Sequence, residues 1–341
     1  MNLMNTRKRF ELVKQNTTEI LTEQELMNLL EEKKELKAYW GTAPTGPFHL
    51  GHLTSLAKIF DFQKAKIETK ILIANIHAAL DDLKSPWEEI EKRANYYKKC
   101  IELAFPWEKK PSFVVGSEFQ LKKEYIYDTL KISTLATITR AKRAASTVCR
   151  MKEPKVSELI YPIMQALDEQ YLNVDIQLGG VDQRHIFVFA REFLPKIGYK
   201  ARVEVMTPLI ASIKGPGTKM SASLPETHIK IYDSVEKLKE KINKAYCPAG
   251  EIKDNPLIQI CQFLIFPIRG KLKVERERKY GGTLVFNSFD QLKESFEKKE
   301  LHPADLKLAL IKELASLFKK ARVYFEKHKD MLEELGKEFL S

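Results

Sequence analysis

The sequence predicts an α/β fold in which a Rossmann-like, doubly wound parallel sheet is followed by a mostly α-helical C-terminal domain. Short apolar runs of strand length alternate with helical patterns over residues 35–227, which is typical of a parallel sheet with helices on both faces. Beyond about His228 the pattern becomes mostly helical, so a separate domain is expected over 228–341. A length of 341 residues also suits two domains. Residues 1–34 are expected to form an N-terminal helical extension.

The elements follow from local sequence signals. Strands are predicted at residues 36–41, 71–74, 113–115, 174–176 and 203–205. Pro44-Thr45-Gly46-Pro47 ends the first strand before a helical pattern that begins at Leu53. Ser85-Pro86-Trp87-Glu88 has the pattern of a capping box with proline at the first helical position, and predicts a helix towards Cys100. The C-terminal helices are predicted at 235–246, 257–266 and 305–339.

The composition favours a soluble protein with an anionic partner. The chain has 57 Lys and Arg against 46 Asp and Glu, a formal charge of +11 that suits a polyanion. It contains no apolar run of membrane-spanning length and no apolar signal core near its start, so no membrane association and a cytosolic location are expected. The four cysteines are scattered without a CxxC pair, which predicts neither a metal site nor a disulfide.

Two histidines stand where the first loop meets a helix. His49 and His52 are three residues apart at a helix N-terminus, where backbone N–H groups and the helix dipole attract phosphates. Gly51 between them allows a flat ring to approach the backbone closely. Imidazoles in this position predict stabilisation of charge that develops on a phosphate.

A second basic motif occurs late in the chain. Lys214 to Lys219 encloses Gly215-Pro216-Gly217, which predicts a flexible loop that presents Lys219 as a mobile cation. The hydroxyl groups of Ser221 and Ser223 follow. The segment is interpreted as a lid that closes over pyrophosphate.

A polar stripe occurs within an apolar helical pattern. Tyr161, Gln165 and Asp168 are spaced at i, i+4 and i+7, so a helix would align them on one face. A solvated helix face is the alternative, but the apolar residues around the stripe argue against it. Further along, Gly180-Val181-Asp182 follows a predicted strand and opens a helix, which places Asp182 at the carboxyl edge of the sheet.

These motifs resemble those of a known family. His49-Leu50-Gly51-His52 and Lys219-Met220-Ser221-Ala222-Ser223 are similar to the HIGH and KMSKS signatures of class I aminoacyl-tRNA synthetases. The segments 161–168 and 179–184 resemble tyrosyl-tRNA synthetases of the archaeal and eukaryotic type, and the resemblance covers roughly residues 35–325. It implies activation of L-tyrosine with ATP and Mg²⁺, transfer to tyrosine tRNA, a catalytic domain over 35–227 and an anticodon-binding domain over 228–341.

The resemblance also implies roles for individual residues. The catalytic residues would be His49, His52 and Lys219. Tyrosine would be bound by Tyr39 and Asp168 at the phenol hydroxyl and by Tyr161, Gln165 and Gln183 at the α-amino end. ATP would be bound by Gly41, Thr45, Gly51, Asp182, Met220, Ser221, Ala222 and Ser223. No resident metal ion is implied. The family is dimeric through an insertion, here at about residues 88–150, so a homodimer is expected.

Three residues depart from the family pattern. Ala222 stands where the second lysine of KMSKS is commonest, so Lys219 or another basic residue is expected to carry more of the contact with ATP. Asn75 stands where relatives usually have Asp, and Ala79 where they often have Tyr. These two departures put details of the pocket near His77 in doubt, but not the reaction.

A basic run and two C-terminal residues predict contact with tRNA. The segment 137–155 carries six basic residues against the single acid Glu153, a run that also fits a merely solvated face. By resemblance, Arg143 and Arg184 would read the acceptor end. Tyr280 and Asp305 would read the anticodon, since stacking and hydrogen bonding suit an unstacked base.

Three other functions compete with this interpretation. A tryptophanyl-tRNA synthetase shares the fold, but Tyr39 with Asp168 suits a phenol better than an indole. A synthetase-like RNA-binding protein without catalysis would not need His49, His52, Gln183 and Lys219 together. A nucleotidyltransferase with the HxGH fold would explain neither the polar stripe nor the C-terminal domain.

Overall fold

The computed structural model describes residues 5–149, 153–220 and 224–340, and for Thr218 and Lys219 the backbone only. It has two compact units. The first comprises residues 1–45, 61–98 and 109–208, and the second 46–60, 99–108 and 209–341. The predicted domain boundaries at 35 and 228 stay a prediction. None of the described helices is long and apolar enough to cross a membrane.

The described strands lie in three sheets. Their bounds are β1 (Glu19–Leu21), β2 (Leu36–Thr42), β3 (Ile67–Ile73), β4 (Ser112–Val115), β5 (Ile176–Gly180), β6 (Val203–Thr207), β7 (Ala211–Ser212), β8 (Gly215–Lys219), β9 (Leu272–Val274) and β10 (Leu284–Phe286).

The described α-helices surround the main sheet in the first unit and make up most of the second. Their bounds are α1 (Thr6–Lys14), α2 (Glu23–Glu32), α3 (Leu53–Lys64), α4 (Asn75–Leu80), α5 (Ile90–Ala104), α6 (Lys123–Leu135), α7 (Ile138–Ala145), α8 (Val156–Tyr171), α9 (Arg184–Phe193), α10 (Val235–Lys244), α11 (Pro256–Ile260), α12 (Phe266–Arg269), α13 (Phe289–Glu297), α14 (Pro303–Leu317), α15 (Lys319–Lys327) and α16 (Lys329–Glu333).

The main sheet belongs to the first unit and has the order β1-β6-β5-β2-β3-β4. β6, β5, β2, β3 and β4 run parallel, as predicted, but β1 pairs antiparallel with β6. The sheet is therefore mixed, and the expected helical extension over residues 1–34 contributes an edge strand to it. β2 and β5 are neighbours at the centre, which is the switch point where ligands bind in doubly wound sheets.

Buried apolar residues account for the strand positions. β2 and β3 carry Leu36, Ala38, Ile71 and Ile73, all nearly inaccessible to solvent, because a central parallel strand is covered on both faces. β5 begins at Ile176 rather than at Val174, where the sequence predicts it. The Val174 N–H instead donates to the carbonyl of Glu169 at the end of α8, which holds Val174 in the turn.

Three further local predictions are wrong. Pro86 is the N-cap of a short 3-10 helix at Trp87–Glu89 with no side-chain capping bond, so the capping box at Ser85 does not form. Residues 215–219 form β8, which pairs antiparallel with β7, instead of a loop. The predicted helix at 305–339 is divided into α14, α15 and α16 because Phe318 and His328 leave the helical conformation.

Candidate active site

Asp168 is the centre of a buried polar cluster in the first unit. We define the Asp168 cluster as Tyr39, His77, Gln120, Tyr125, Asp168 and Gln177. The side-chain amide of Gln120 and the hydroxyl of Tyr125 both donate to Asp168 Oδ1, each at 2.8 Å. Burial raises the pKa of Asp168 to about 7, although the two hydrogen bonds lower it. Asp168 is therefore poised between its two protonation states at neutral pH.

His77 is a neutral neighbour of this carboxyl group. Its Nε2 atom lies 3.9 Å from Asp168 Oδ2. Burial lowers the pKa of His77 to about 3, so the imidazole is uncharged and the contact is not an ion pair. The imidazole packs edge-on against Tyr161, with ring centroids 4.6 Å apart.

Tyr39 lies on β2 and is also buried. Gln177 Nε2 donates to the Tyr39 hydroxyl oxygen at 2.5 Å. Burial, and then the charge of Asp168, raise the pKa of Tyr39 well above its ordinary value. The hydroxyl of Tyr39 is thus protonated, and it interacts electrostatically with Asp168.

The stripe on α8 forms as predicted. Tyr161, Gln165 and Asp168 all lie on this helix, and Tyr161 and Asp168 are buried. Gln165 Nε2 donates to Gln183 Oε1 at 3.2 Å, so two of the residues expected at the α-amino end are in contact. Gln183 and Asp182 lie on a short 3-10 helix between β5 and α9. The roles of these residues stay predictions.

Two residues expected to bind ATP lie at the end of β2. Gly41 is exposed within the strand, and Thr45 follows it. The carbonyl of Thr45 accepts a hydrogen bond from Arg93 at 3.4 Å. Both residues are thus at the carboxyl end of a central strand, where the sequence places them.

Asn75 is one of the three departures from the family pattern, and its contacts explain why an amide stands there. Its amide donates to Glu91 Oε1 at 2.9 Å and to Ser117 Oγ at 3.0 Å, and its Oδ1 accepts from the Ser117 N–H at 2.9 Å. An aspartate would set a carboxylate against Glu91 in a buried position, where like charges repel. A neutral amide at position 75 therefore avoids repulsion from the Glu91 carboxylate. A second departure, Ala79, is a buried residue of α4.

The raised pKa of Asp168 predicts a dependence of stability on pH. Asp168 ionises near 3.8 in the unfolded chain and near 7 in the folded protein, so the folded state holds one more proton between these values. Its contribution to stability is therefore lost as pH rises through that window, by at most about 4 kcal/mol. We expect wild type to lose more unfolding free energy between about pH 5 and pH 8 than Asp168→Asn, measured by urea unfolding. Equal losses would contradict the raised pKa.

The second unit contains a cluster of three imidazoles. We define the histidine cluster as His49, His52 and His228. Ring centroids of His49 lie 4.2 Å from His52 and 4.7 Å from His228. His49 is the N-cap of a 3-10 helix at Leu50–His52 that leads into α3. The predicted junction of loop and helix is confirmed.

A hydrogen bond fixes the tautomer of His49. Its Nδ1 accepts from the Gly51 N–H at 3.1 Å, so the proton of the neutral ring is on Nε2. His52 Nδ1 lies 3.2 Å from the His49 N–H and 3.1 Å from the His49 carbonyl oxygen, contacts that fit either tautomer of His52. Burial lowers the pKa of His49 well below its ordinary value and that of His52 to about 4. The two imidazoles are therefore neutral and supply no positive charge.

The surroundings of Gly51 also explain its position. A Cβ atom there would lie 2.8 Å from Cε1 and 2.9 Å from Nδ1 of His49, and 3.3 Å from Cβ of Met220. Any side chain would therefore displace the imidazole. Met220 is buried beside this glycine. The backbone of Lys219 pairs with Ala211 in the β7–β8 hairpin, whereas Ser221, Ala222 and Ser223 lie outside the described residues.

The residues expected to contact tRNA occupy surface positions. Arg143 is exposed on α7, and Tyr280 is exposed on a short 3-10 helix. Asp305 is half-buried in the first turn of α14. Arg184 is exposed but paired, since both Nε and a terminal nitrogen donate to Glu19, at 2.6 and 3.0 Å.

The described residues hold one group with metal-ligand chemistry. Asp81, Cys149 and Glu158 are buried in the first unit, with ligand atoms within 4.8 Å of one another. The Lys84 ammonium already reaches Asp81 Oδ2 at 2.5 Å. The histidine cluster offers imidazole nitrogens, which do not suit the oxygen preference of Mg²⁺. A magnesium ion would thus be held by phosphate oxygens rather than by these histidines.

Four residues of these clusters have no role predicted from the sequence. Gln120 and Tyr125 bind Asp168 from outside its helix, and His228 joins His49 from a segment far along the chain. Gln177 gives a faint signal, since it is the one amide in the apolar run of β5.

Comparison with known proteins is consistent with both clusters. A family described as "tRNA synthetases class I (W and Y)" matches residues 31–319. The tyrosine--tRNA ligase of Archaeoglobus fulgidus is 42% identical over 320 residues, covering 94% of this chain and 98% of that protein. The cytoplasmic enzyme of Saccharomyces cerevisiae is 40% identical, over 95% of this chain and 86% of its own.

Solved structures give the same result. The crystal structure of tyrosyl-tRNA synthetase complexed with L-tyrosine from Archaeoglobus fulgidus has a TM-score of 0.89 at 42% identity, covering 93% of this chain and 99% of that one. A tryptophanyl-tRNA synthetase from Giardia lamblia has a TM-score of 0.66 at 16% identity, covering 97% of this chain and 90% of that one. The second likeness shows the fold alone.

Proposed function

The chain belongs to the class I tRNA synthetases of the tryptophan and tyrosine group, and from this premise we propose that it joins L-tyrosine to tyrosine tRNA at the expense of ATP. The observation that carries the proposal is its 42% identity, over almost the whole of both chains, to a tyrosine--tRNA ligase. The Asp168 cluster supports tyrosine as the amino acid, because it combines a buried hydroxyl with a buried carboxyl group.

The first step forms tyrosyl-adenylate. The tyrosine carboxylate attacks the α-phosphorus of ATP, a P–O bond forms, and the bond to pyrophosphate breaks. Negative charge develops on phosphate oxygens, so donors aimed there stabilise the transition state. The Nε2–H group of His49 would supply a neutral donor, with His52 as its neutral neighbour, and the ammonium of Lys219 would supply the positive charge that these rings lack. Magnesium would enter as the complex with ATP.

The second step transfers tyrosine to tRNA. A ribose hydroxyl of the terminal adenosine attacks the carbonyl carbon of the adenylate, and AMP leaves with its phosphate. Asp182 would bind the ribose of the adenylate. Gln165 and Gln183, which contact each other, would bind the α-amino group together with Tyr161.

Transfer RNA is the polyanion that accounts for the charge surplus of +11. Arg143, exposed on α7, would contact the acceptor end. Arg184 would do so by exchanging its pair with Glu19 for a phosphate. Tyr280 has the exposed ring that stacking on an anticodon base requires, and Asp305 would accept a hydrogen bond from a base.

One experiment tests the function: exchange of pyrophosphate into ATP that depends on the added amino acid. Tyrosine is expected to support exchange with a far higher kcat/KM than tryptophan or phenylalanine. Exchange with tryptophan alone would select the tryptophan enzyme, and no exchange with any of the three would favour an RNA-binding protein without catalysis. Charging of tyrosine tRNA with labelled tyrosine then tests the second step.

We also propose that the protein is a homodimer through the predicted segment at about 88–150. Large apolar side chains are exposed on α6 and at the start of α7: Ile126, Tyr127, Leu130, Leu135 and Ile138. Several large exposed apolar side chains within one short segment are typical of a protein interface, because apolar surface is unfavourable in water. A second copy of the same face would cover it, as in isologous dimers.

A charged residue within this face is expected to separate the copies. Leu130→Glu should shift the protein from dimer to monomer in sedimentation or light scattering, because an unpaired carboxylate would be buried at the interface. Leu308→Glu on α14 is the matched control, because Leu308 is 61% exposed and Leu130 60%. A dimer that survives Leu130→Glu, or a wild-type monomer, would contradict the proposal.

A further inference from the structure

A row of buried polar side chains crosses the main sheet at Tyr39. Tyr39 on β2 is paired with Gln177 on β5, and Gln177 is paired with Glu204 on β6. Residues at paired positions of neighbouring strands point to the same face of a sheet. All three are almost inaccessible to solvent. A polar row of this kind is costly inside a core unless its members orient one another.

The far end of the row is a pair of carboxyl groups. Glu204 faces Glu169 of α8, and both are completely buried. Burial raises the pKa of both groups, so the pair retains a proton at neutral pH. Gln177 lies beside this pair on the sheet, but its Nε2 donates to Tyr39.

Gln177 uses that amide to bind Tyr39. Its Nε2 donates to the Tyr39 hydroxyl oxygen at 2.5 Å, and so occupies an acceptor position of that oxygen. A phenol hydroxyl has a single proton. Because this oxygen is already accepting from Gln177, the Tyr39 proton is directed away from the amide and remains available to another acceptor.

Asp168 has the opposite polarity. Gln120 donates to Oδ1, and Tyr125 shares its hydroxyl proton between Oδ1 and the carbonyl of Met164. Oδ2, by contrast, has one contact among the described residues, with the neutral His77 at 3.9 Å. Oδ2 can therefore accept a further proton donor. A phenol hydroxyl has both requirements: its oxygen accepts one hydrogen bond and its proton donates another.

We propose that Gln177 is a positioning residue for recognition of the substrate hydroxyl: it turns Tyr39 into a donor to the phenol oxygen, while Asp168 Oδ2 accepts the phenol proton. The inference rests on the proposed function and deepens it. According to this inference, discrimination against phenylalanine depends on Gln177, which acts through Tyr39 and does not contact the substrate. Phenylalanine would leave the Tyr39 proton and Asp168 Oδ2 without partners. Its binding would be weaker because unpaired polar groups in a buried pocket cost free energy.

The test is Gln177→Met, which keeps the side-chain length and removes the amide. We expect kcat/KM for tyrosine in pyrophosphate exchange to fall about 10-fold and kcat/KM for phenylalanine to stay unchanged. In the Tyr39→Phe background the same substitution should have no further effect on tyrosine, since Gln177 would have no hydroxyl to orient. Gln177→Leu is the second variant if the first does not fold.

Two results would overturn the inference. An unchanged ratio of kcat/KM for tyrosine to kcat/KM for phenylalanine would show that the amide does not orient Tyr39. The same loss in the Tyr39→Phe background would make Gln177 a structural residue. If wild type does not activate tyrosine, the proposed function fails instead. In that case, calorimetry of tyrosine and phenylalanine binding to the same variants tests the role of Gln177. The ratio of the two dissociation constants then replaces the ratio of the two kcat/KM values.

Discussion

Asp168→Asn is expected to lower kcat/KM for tyrosine activation by roughly 10- to 150-fold, because a hydrogen bond to a charged group contributes about 1.5–3 kcal/mol. Gln120 and Tyr125 hold Oδ1, so the new amide nitrogen would replace Oδ2 and present a donor where the phenol proton needs an acceptor. Phenylalanine has no such proton and should be activated no worse. Pyrophosphate exchange with both amino acids measures the difference.

Asp128 provides a matched control for this substitution. It is also buried, and it accepts from the hydroxyl groups of Tyr171 at 2.9 Å and Tyr199 at 2.5 Å. Asp128→Asn therefore removes a buried carboxylate that also accepts from tyrosine hydroxyls, and that is paired with Lys131 at 3.0 Å, outside the proposed pocket. It should affect stability and leave kcat/KM for tyrosine close to wild type. A comparable loss in both variants would mean that Asp168 acts through the fold.

His49→Ala is expected to lower the rate of adenylate formation by about 100- to 1000-fold, which is the usual effect of removing one donor to a developing oxyanion. The substitution removes the Nε2–H group that Gly51 orients through Nδ1. Because the imidazole is neutral, His49→Gln should retain part of the rate: its amide nitrogen can replace Nε2. Single-turnover formation of tyrosyl-adenylate measures both effects.

The control for His49 is His302. It is an exposed N-cap of α14 and accepts from the Ala304 N–H, so His302→Ala should cost some stability and no rate. The pKa values of His49 and His52 also predict a rate that is insensitive to their titration between about pH 6 and pH 8, since both remain neutral there. A rate that rises as either imidazole gains a proton in that range would contradict the role of neutral donors.

Much of the fold could be predicted because its signals are local. The run at Leu36 is apolar, is followed by Pro44 and Gly46, and forms β2 as expected. The errors occur where distant residues decide. β1 joins the sheet only because β6 provides an edge for it, and residues 215–219 form a strand because β7 pairs with Gly215 and Lys219. Gly215 also faces the ring of Tyr246, where no Cβ would fit.

The periodic and local features could be read from the amino-acid order alone. They are the alternation of strands and helices, the stripe of Tyr161, Gln165 and Asp168, and the position of His49 and His52 before a helix. Helical spacing places residues on a common face without any other part of the chain. The resemblance of the motifs to synthetases was sufficient to identify the family.

The protonation and orientation of these groups depend on contacts between distant parts of the chain. The pKa of Asp168 depends on burial and on donors from Gln120 and Tyr125, which lie more than forty positions away along the chain. His49 is neutral because it is buried beside His52 and His228. The orientation of the Tyr39 hydroxyl depends on Gln177, its partner on the adjacent strand. Desolvation and hydrogen bonding act between groups that are close in space, so spacing along the chain does not reveal them.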